Sequence, residues 1–279
     1  GMRLPFILAG IFSVWLVYLI AKRLLPSELG ALSAAAVSAV NTYHVWVSRT
    51  GLLESVVIAL MLLAIWLFLR AVQGPSKYVF YLAVIAAGLA ILAKYTAVIL
   101  LPVFFIYLVW KHRELLTARR VIFSILLLLL VLSPVIIYNF RLYQTRGHFD
   151  YQLSYLLKQD VPEWQIRPGR EVGGFAEKFT NLFSNFTRGY GPMFSLASAV
   201  AVWFLFIKKP NESSELLALL LGFLLLLFFV IGPEARYLPM LAPFLGILAI
   251  QGALTMIHSR KAFLCFLAVF LALETAYLF

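Results

Sequence analysis

Residues 41–62, NTYHVWVSRTGLLESVVIALML, place Arg49 and Glu54 in a very short gap between two long apolar runs. Each run is long enough to form a helix that crosses a bilayer, which needs about 20 residues. A charge at membrane depth costs at least ~2.5 kcal/mol on the most lenient insertion scale. The gap is therefore the first place to look for chemistry. The alternative is that both residues are interfacial and that one of them extends its side chain to the headgroups.

The composition of the whole chain agrees with this stretch. Of the 279 residues, 63% are hydrophobic and 13% are charged, and the mean hydropathy is +0.95. Ordinary soluble domains have roughly 25% charged residues. The composition therefore indicates an integral membrane protein. Its one cysteine, Cys265, excludes a framework of intrachain disulfides.

The apolar residues occur in continuous runs, without the two-residue alternation of membrane β-barrel strands. They predict an all-α, polytopic transmembrane helical bundle of about ten segments, in one membrane-embedded domain that covers residues 1–279. The fourth and fifth segments are short and meet at Lys94, so a re-entrant or broken helix is an alternative there. The predicted segments are 4–21, 29–48, 52–69, 78–93, 95–110, 121–139, 189–207, 216–232, 237–257 and 262–279.

Basic residues divide unequally between alternating short gaps. One set of gaps holds twelve basic residues, whereas the other holds only Arg49, Lys94 and Arg236. Cytoplasmic loops carry the excess of lysine and arginine, so the second set is predicted to be extracytoplasmic. The net charge of +11 is then explained by membrane topology, and no nucleic-acid partner is expected.

Most residues that could take part in binding or catalysis are predicted to lie on the outer face. They include Lys94 and Tyr95, the loop of residues 140–188 with Asp150, and the stretch GPEARY, which contains Glu234, Arg236 and Tyr237. A helical bundle can bring such positions together around a cavity, where ionised groups are tolerated. Each of these features also has a structural interpretation without a role in function. On that interpretation Glu234 and Arg236 are an exposed pair, the loop is a solvated connection, and His44 is packed in the bundle.

Short motifs along the chain resemble the dolichyl-phosphate-mannose-protein mannosyltransferase-like family. This family consists of C-type, multi-spanning glycosyltransferases and includes the bacterial aminoarabinose and lipopolysaccharide-core sugar transferases. The order and spacing of the motifs carry the resemblance. They are Arg3-Leu4-Pro5, Ala21-Lys22-Arg23-Leu24, Ser48-Arg49 followed by Glu54, GLAILAK at 88–94, Tyr190-Gly191-Pro192, and ARYLP at 235–239 with Pro243.

The resemblance implies a glycosyltransferase that moves a sugar from a polyprenyl-phosphate donor to a protein, lipid or glycan acceptor. The reaction would take place on the extracytoplasmic face of a cell membrane, or on the lumenal face of an organelle. The position that matches the family's acidic active-site residue is Glu54. Lys94, Arg236 and Tyr237 match motifs near the path of the lipid phosphate.

Simple chemistry agrees with these roles. When the sugar leaves its phosphate carrier, negative charge develops on the phosphate, and cationic hydrogen-bond donors stabilise this charge. The candidates for this role are Arg49, Lys94 and Arg236. Glu54 can accept the proton of the attacking hydroxyl, or it can orient substrate or a divalent cation such as Mg²⁺ or Mn²⁺. The sequence has no His/Cys metal-ligand spacing, and no metal site is predicted. His44, Tyr95, Asp150 and Glu234 are candidates for acceptor or loop contacts.

One feature departs from the family pattern. Family members begin with an additional transmembrane helix and an outer loop that bears an acidic residue, and residues 1–20 contain no acidic residue. The chain is therefore expected to be an N-terminally truncated fragment, and its activity alone is an open question. Two functions from other classes also remain. A transporter or flippase predicts a through-path of charges and an internal repeat, whereas a noncatalytic scaffold predicts that Glu54 and Lys94 can be lost together.

Overall fold

A computed structural model gives the structure of the chain. It describes residues 3–74, 76–157, 159, 161, 174–207, 212–231 and 235–278. Helices dominate these residues, and short 3₁₀ turns lie at Tyr95–Ile99, Arg113–Leu115 and Ala235–Leu241. The α-helices are α1 (Leu4–Leu24), α2 (Glu28–Val40), α3 (Thr42–Thr50), α4 (Leu53–Val72), α5 (Lys77–Ala93), α6 (Leu100–Lys111), α7 (Ala118–Arg146), α8 (Tyr151–Leu156), α9 (Phe175–Ile207), α10 (Glu212–Ile231), α11 (Ala242–Met256) and α12 (Arg260–Tyr277).

The predicted all-α membrane fold is confirmed. Within the described part of the chain, four helical stretches are long and apolar enough to cross a membrane, namely Leu4–Leu24, Leu53–Val72, Ala118–Arg146 and Tyr237–Met256. The same described residues also form four shorter apolar helices. The count of about ten segments stays a prediction.

The predicted segment 29–48 is divided into two helices in the structure. Asn41 has extended backbone angles (φ −64°, ψ 125°), so α2 stops at Val40. The Asn41 side chain then accepts a hydrogen bond of 3.1 Å from the His44 backbone N–H and caps α3. A side-chain cap satisfies a backbone donor that the first helical turn leaves unpaired. The break thus starts a new helix, which carries Arg49 in its last turn.

Helices α4 and α5 form the centre of the packing. They are consecutive, antiparallel and in extensive contact. One stripe of α5 consists of the buried small residues Ala83, Ala86, Ala87 and Ala90, which let the backbones of membrane helices approach closely. This hairpin places the start of α4 beside the end of α5.

Helix α7 lies on the outside of the bundle. In the most apolar 18-residue stretch of α7 the mean hydropathy is 2.9, yet none of these residues is buried in the structure. Its exposed side chains include Ile122, Phe123, Leu126 and Leu130. An exposed apolar surface of this kind is typical of contact with lipid.

Within the predicted loop of residues 140–188, helices occupy both ends. Helix α7 continues to Arg146 and ends at Gly147, whose φ of 76° suits glycine at a helix C-terminus. Helix α9 begins at Phe175. The polar residues after position 139 therefore extend a helix, where the sequence interpretation placed a loop.

Helix α9 is interrupted at Gly191, which has φ 75° and ψ 167°. Pro192 follows it and is suited to the first position of the continuing helix. A carboxylate oxygen of Glu274 on α12 accepts a hydrogen bond of 2.9 Å from the Phe194 backbone N–H. Glu274 thus caps the second part of α9 from another helix.

Candidate functional site

The candidate site is built around Glu54, in the first turn of α4. Only 4% of this residue is exposed. The positive end of the helix dipole favours a carboxylate at this position. Helix α4 begins here because the left-handed Gly51 ends α3 and the extended Leu52 precedes the new helix.

Lys94 is the partner of Glu54. Its Nζ donates to Glu54 Oε1 in a close ion pair. The side chains of Glu54 and Lys94 are 5% and 18% exposed. Lys94 lies directly after α5, in an extended conformation (φ −161°, ψ 130°) between that helix and the 3₁₀ turn Tyr95–Ile99. Helix α5 therefore ends directly before Lys94, which places a cation at the negative end of the α5 dipole. Whether residues 78–110 form two membrane segments or a re-entrant or broken helix stays a prediction.

The aromatic ring of Tyr237 lies next to the ammonium group of Lys94. Lys94 Nζ lies 4.5 Å from the centroid of the Tyr237 ring, in the geometry of a cation–π interaction. Tyr237 belongs to the 3₁₀ turn Ala235–Leu241, which leads into α11. Arg236 precedes it in this turn, but its side chain lies outside the described part of the structure, as does the whole of Glu234.

Two contacts fix the turn that carries Tyr237. The hydroxyl of Tyr190 on α9 donates to the Leu238 backbone carbonyl. The Thr96 hydroxyl lies 3.8 Å from the Met240 sulfur and links the turn to the break after α5. The site is therefore the meeting point of three irregular stretches, which are the start of α4, the end of α5 and the turn before α11.

A second polar cluster joins the break after α5 to α7 and α8. The Tyr95 hydroxyl donates to Asp150 Oδ2, and Asn139 Nδ2 donates to the same oxygen at 2.9 Å. Asp150 Oδ1 accepts from the Leu153 backbone N–H at 3.0 Å. The carboxylate is thus well satisfied, as in a residue that anchors a segment.

Arg49 and His44 lie apart from the ion pair. Arg49 is exposed and lines a surface pocket with Arg3. His44 is 5% exposed, and its Nε2 is 3.1 Å from the Gly10 carbonyl on α1. Its surroundings are those of a packed histidine.

The sequence interpretation did not assign roles to Asn139 and Glu274. Asn139 ends the predicted apolar run 121–139 on α7, and Glu274 is the one charged residue of the run 262–279 on α12. The structure buries both, at 4% and 1% exposure. An amide or carboxyl side chain within a predicted membrane segment was the signal that would have selected them.

The central cluster offers three kinds of group within a small volume. These are a carboxylate, an ammonium group and an aromatic ring. A carboxylate can accept a proton, and an ammonium group can bind an anion as a point charge. Among the described residues, no group of three or more His, Cys, Asp or Glu side chains lies close enough together to hold a metal ion.

Residues 1–138 match the sequence model of the dolichyl-phosphate-mannose-protein mannosyltransferase family. The match confirms the resemblance inferred from the motifs. It includes both Glu54 and Lys94 of the central ion pair. No curated protein sequence matches the chain.

Two crystal structures of ArnT from Cupriavidus metallidurans have the same fold. The apo structure is 17% identical in sequence, with a TM-score of 0.64 over 96% of this chain. The structure bound to undecaprenyl phosphate is 14% identical, with a TM-score of 0.60 over 96% of this chain. The aligned region covers 48% and 49% of the respective ArnT chains. The chain therefore spans about half the length of these proteins.

Proposed function

We propose that the chain is part of a membrane glycosyltransferase that takes a sugar from a polyprenyl-phosphate donor. The observation that carries the proposal is the buried Glu54–Lys94 ion pair beneath the Tyr237 ring. Three helix interruptions converge on this pair. Irregular backbone and ionised groups at membrane depth are tolerated where they line a functional cavity.

Lys94 is proposed to bind the donor phosphate, together with Arg236 from the neighbouring turn. Cleavage of the bond between sugar and phosphate leaves negative charge on the phosphate, which fixed cationic groups stabilise. The Tyr237 ring holds the ammonium group in place. ArnT has the same fold and has been crystallised with undecaprenyl phosphate, which supports this class of donor.

Glu54 is proposed to be the base that accepts the acceptor's proton. In the structure its charge is balanced by Lys94. A phosphate group that draws Lys94 towards itself would release the Glu54 carboxylate for a hydroxyl group. Donor binding would then prepare the base.

The remaining predicted residues take supporting roles in this proposal. Tyr95 and Asp150 hold the segment after α7 against the 3₁₀ turn that follows α5, through their hydrogen bond. His44 supports the packing of α3 on α1 through Gly10. The acceptor is a protein, lipid or glycan. The distribution of basic residues supports a multi-pass chain with this site on the extracytoplasmic side.

Transfer of radiolabelled sugar from polyprenyl-phosphate donors in reconstituted vesicles tests the proposal. We expect Glu54→Gln to reduce transfer by about 10²-fold or more, because general base catalysis contributes 10²–10⁴-fold. Lys94→Gln is expected to weaken donor binding as well as transfer. Absence of both donor binding and transfer from the wild-type chain, with all donors tried, would contradict the proposal.

A matched control is the ion pair between Lys111 Nζ and Glu215 Oε2, which are 2.8 Å apart. Lys111 ends α6, at the other end of the segment that starts beside Lys94. Glu215→Gln therefore removes the same charge at a distance from the candidate site. It is expected to leave transfer unchanged.

A further inference from the structure

We propose that a second site, built around Arg3 and Arg49, binds the phosphate group of a membrane lipid. These residues line a surface pocket of about 310 Å³, a volume near the lower end of the range for small-molecule sites. We call it the arginine pocket. Its described lining residues are Arg3, Thr42, Val45, Trp46, Arg49, Thr50 and Leu278.

Gly51 brings the two arginines to one place. It ends α3 with φ 74°, and the Leu52 backbone N–H donates to the Val47 carbonyl at 3.1 Å. A Cβ atom at Gly51 would lie 3.4 Å from the Phe6 ring and 3.9 Å from Arg3 Cγ. The end of α3 is therefore packed closely against the start of α1. One arginine comes from each helix end.

No described residue in the lining of the pocket compensates the charge of the two arginines. None of its described lining residues is acidic, and neither arginine takes part in an ion pair with another described residue. A guanidinium group presents a planar set of donors that matches a phosphate bidentately. Two such groups in one concavity suit a phosphate monoester, which carries up to two negative charges.

Thr42 supplies a further polar group. Its hydroxyl oxygen is buried and has no hydrogen-bond partner among the described residues. A buried hydroxyl without a partner is unfavourable. Rotation of the Thr42 side chain towards the pocket would let a ligand provide the missing partner.

The surroundings of the pocket favour a lipid headgroup over free phosphate. The outer face of α1, which starts at the pocket, exposes Leu4, Leu8 and Ile11. Trp46 lines the pocket and is 40% exposed, and tryptophan is enriched at the level of the headgroups. The cationic pocket therefore lies at the end of an apolar surface that suits acyl chains.

The arginine pocket is separate from the Glu54–Lys94 pair, since neither of those residues lines it. The proposal for this pocket stands without the glycosyltransferase proposal. Its test uses lipid binding alone.

The experiment measures association of spin-labelled phosphatidate with the reconstituted chain in phosphatidylcholine vesicles. We expect preference for phosphatidate over phosphatidylcholine, and about tenfold or more weaker association for the double variant Arg3→Gln/Arg49→Gln. Loss of a charged hydrogen bond costs about 1.5–3 kcal/mol, and 1.4 kcal/mol corresponds to tenfold. Excess inorganic phosphate is expected not to displace the lipid.

The control is Arg119→Gln/Arg141→Gln, which removes two exposed arginines outside the pocket. This control changes the net charge by the same amount as Arg3→Gln/Arg49→Gln, so both double variants lose the same general electrostatic attraction to an anionic lipid. We expect phosphatidate association within twofold of wild type. Equal losses in both double variants would overturn the site. Displacement by inorganic phosphate at concentrations comparable to the lipid would overturn the assignment to a lipid headgroup.

Discussion

At the scale of single residues, Glu54 and Lys94 depend on each other for charge neutralisation. Their side chains are 5% and 18% exposed, so water screens neither charge well. Each also lies at the helix end whose dipole favours its sign. The arrangement holds an ionised carboxylate in a place where an isolated one would be costly.

Replacement of Lys94 by methionine is expected to destabilise the fold. The substitution leaves Glu54 buried without its partner, and breaking a buried pair costs about 3–5 kcal/mol. The double variant Glu54→Gln/Lys94→Met is expected to regain most of this loss, because no unpaired charge remains. Denaturant titration of the purified variants in mixed micelles measures both free energies of unfolding.

The control for this cycle is Lys111→Met, which breaks the pair with Glu215. Those side chains are 21% and 19% exposed, so solvent compensates the remaining charge better. A smaller loss of stability is expected there. Equal losses for the two lysine variants, or no recovery in the double variant, would contradict the proposed interdependence of Glu54 and Lys94.

The sequence allowed Glu54 and Lys94 to be selected but did not allow them to be paired. Charge in an apolar context marked both residues. The nearest opposite charge to Glu54 along the chain is Arg49, but Gly51 and Leu52 turn the chain between them. The true partner is 40 positions away because the α4–α5 hairpin aligns the start of one helix with the end of the other.

At the scale of elements, the interruption in α9 controls the position of the turn before α11. Gly191 adopts a left-handed conformation, and Tyr190 directly before it bonds to Leu238 in that turn. Glu274 caps the helix that resumes after Pro192. The break therefore orients Tyr190, and through it the segment that carries Tyr237.

Gly191→Ala is expected to destabilise this arrangement by about 1–3 kcal/mol, the cost of a non-glycine residue in strained backbone. The added Cβ would also lie 2.8 Å from the Tyr277 ring. Gly222→Ala is the control, because that glycine is inside α10 and its Cβ would meet nothing within 4 Å. The control is expected to stabilise by about 0.5–1 kcal/mol through its helix propensity.

Thermal unfolding of both variants checks this prediction, with donor binding as a second measurement. Gly191→Ala is expected to weaken donor binding as well, since Tyr237 would shift. Equal stability of the two alanine variants would show that the α9 break tolerates a side chain at position 191. It would contradict the role of this break in positioning Tyr237.

The same elements show why helix boundaries were harder to predict than helices. Long apolar runs mark the existence of a helix, because only helical backbone satisfies its own hydrogen bonds in lipid. The division between α2 and α3 depends on one capping residue, Asn41. The extension of α7 to Arg146 depends on a polar stretch whose helicity apolar patterning cannot reveal.

At the scale of the whole molecule, three irregular segments from distant parts of the chain meet at the candidate site. The start of α4, the end of α5 and the turn before α11 come from distant parts of the chain. Their convergence depends on helix packing, which composition and periodicity do not determine. Composition did predict the membrane class and the all-α fold, and the motifs indicated the family that residues 1–138 match.

Photo-crosslinking of a bound donor tests whether its phosphate group lies at Lys94 and Tyr237. A polyprenyl phosphate with a photoreactive group next to the phosphate would be bound to the reconstituted chain and irradiated, and the labelled peptides would be identified by mass spectrometry. We predict labelling of the segments around Lys94 and Tyr237, with loss of labelling in Lys94→Gln. Labelling around Lys111 and Glu215 instead, or labelling that Lys94→Gln leaves unchanged, would contradict the proposal that Lys94 binds the donor phosphate.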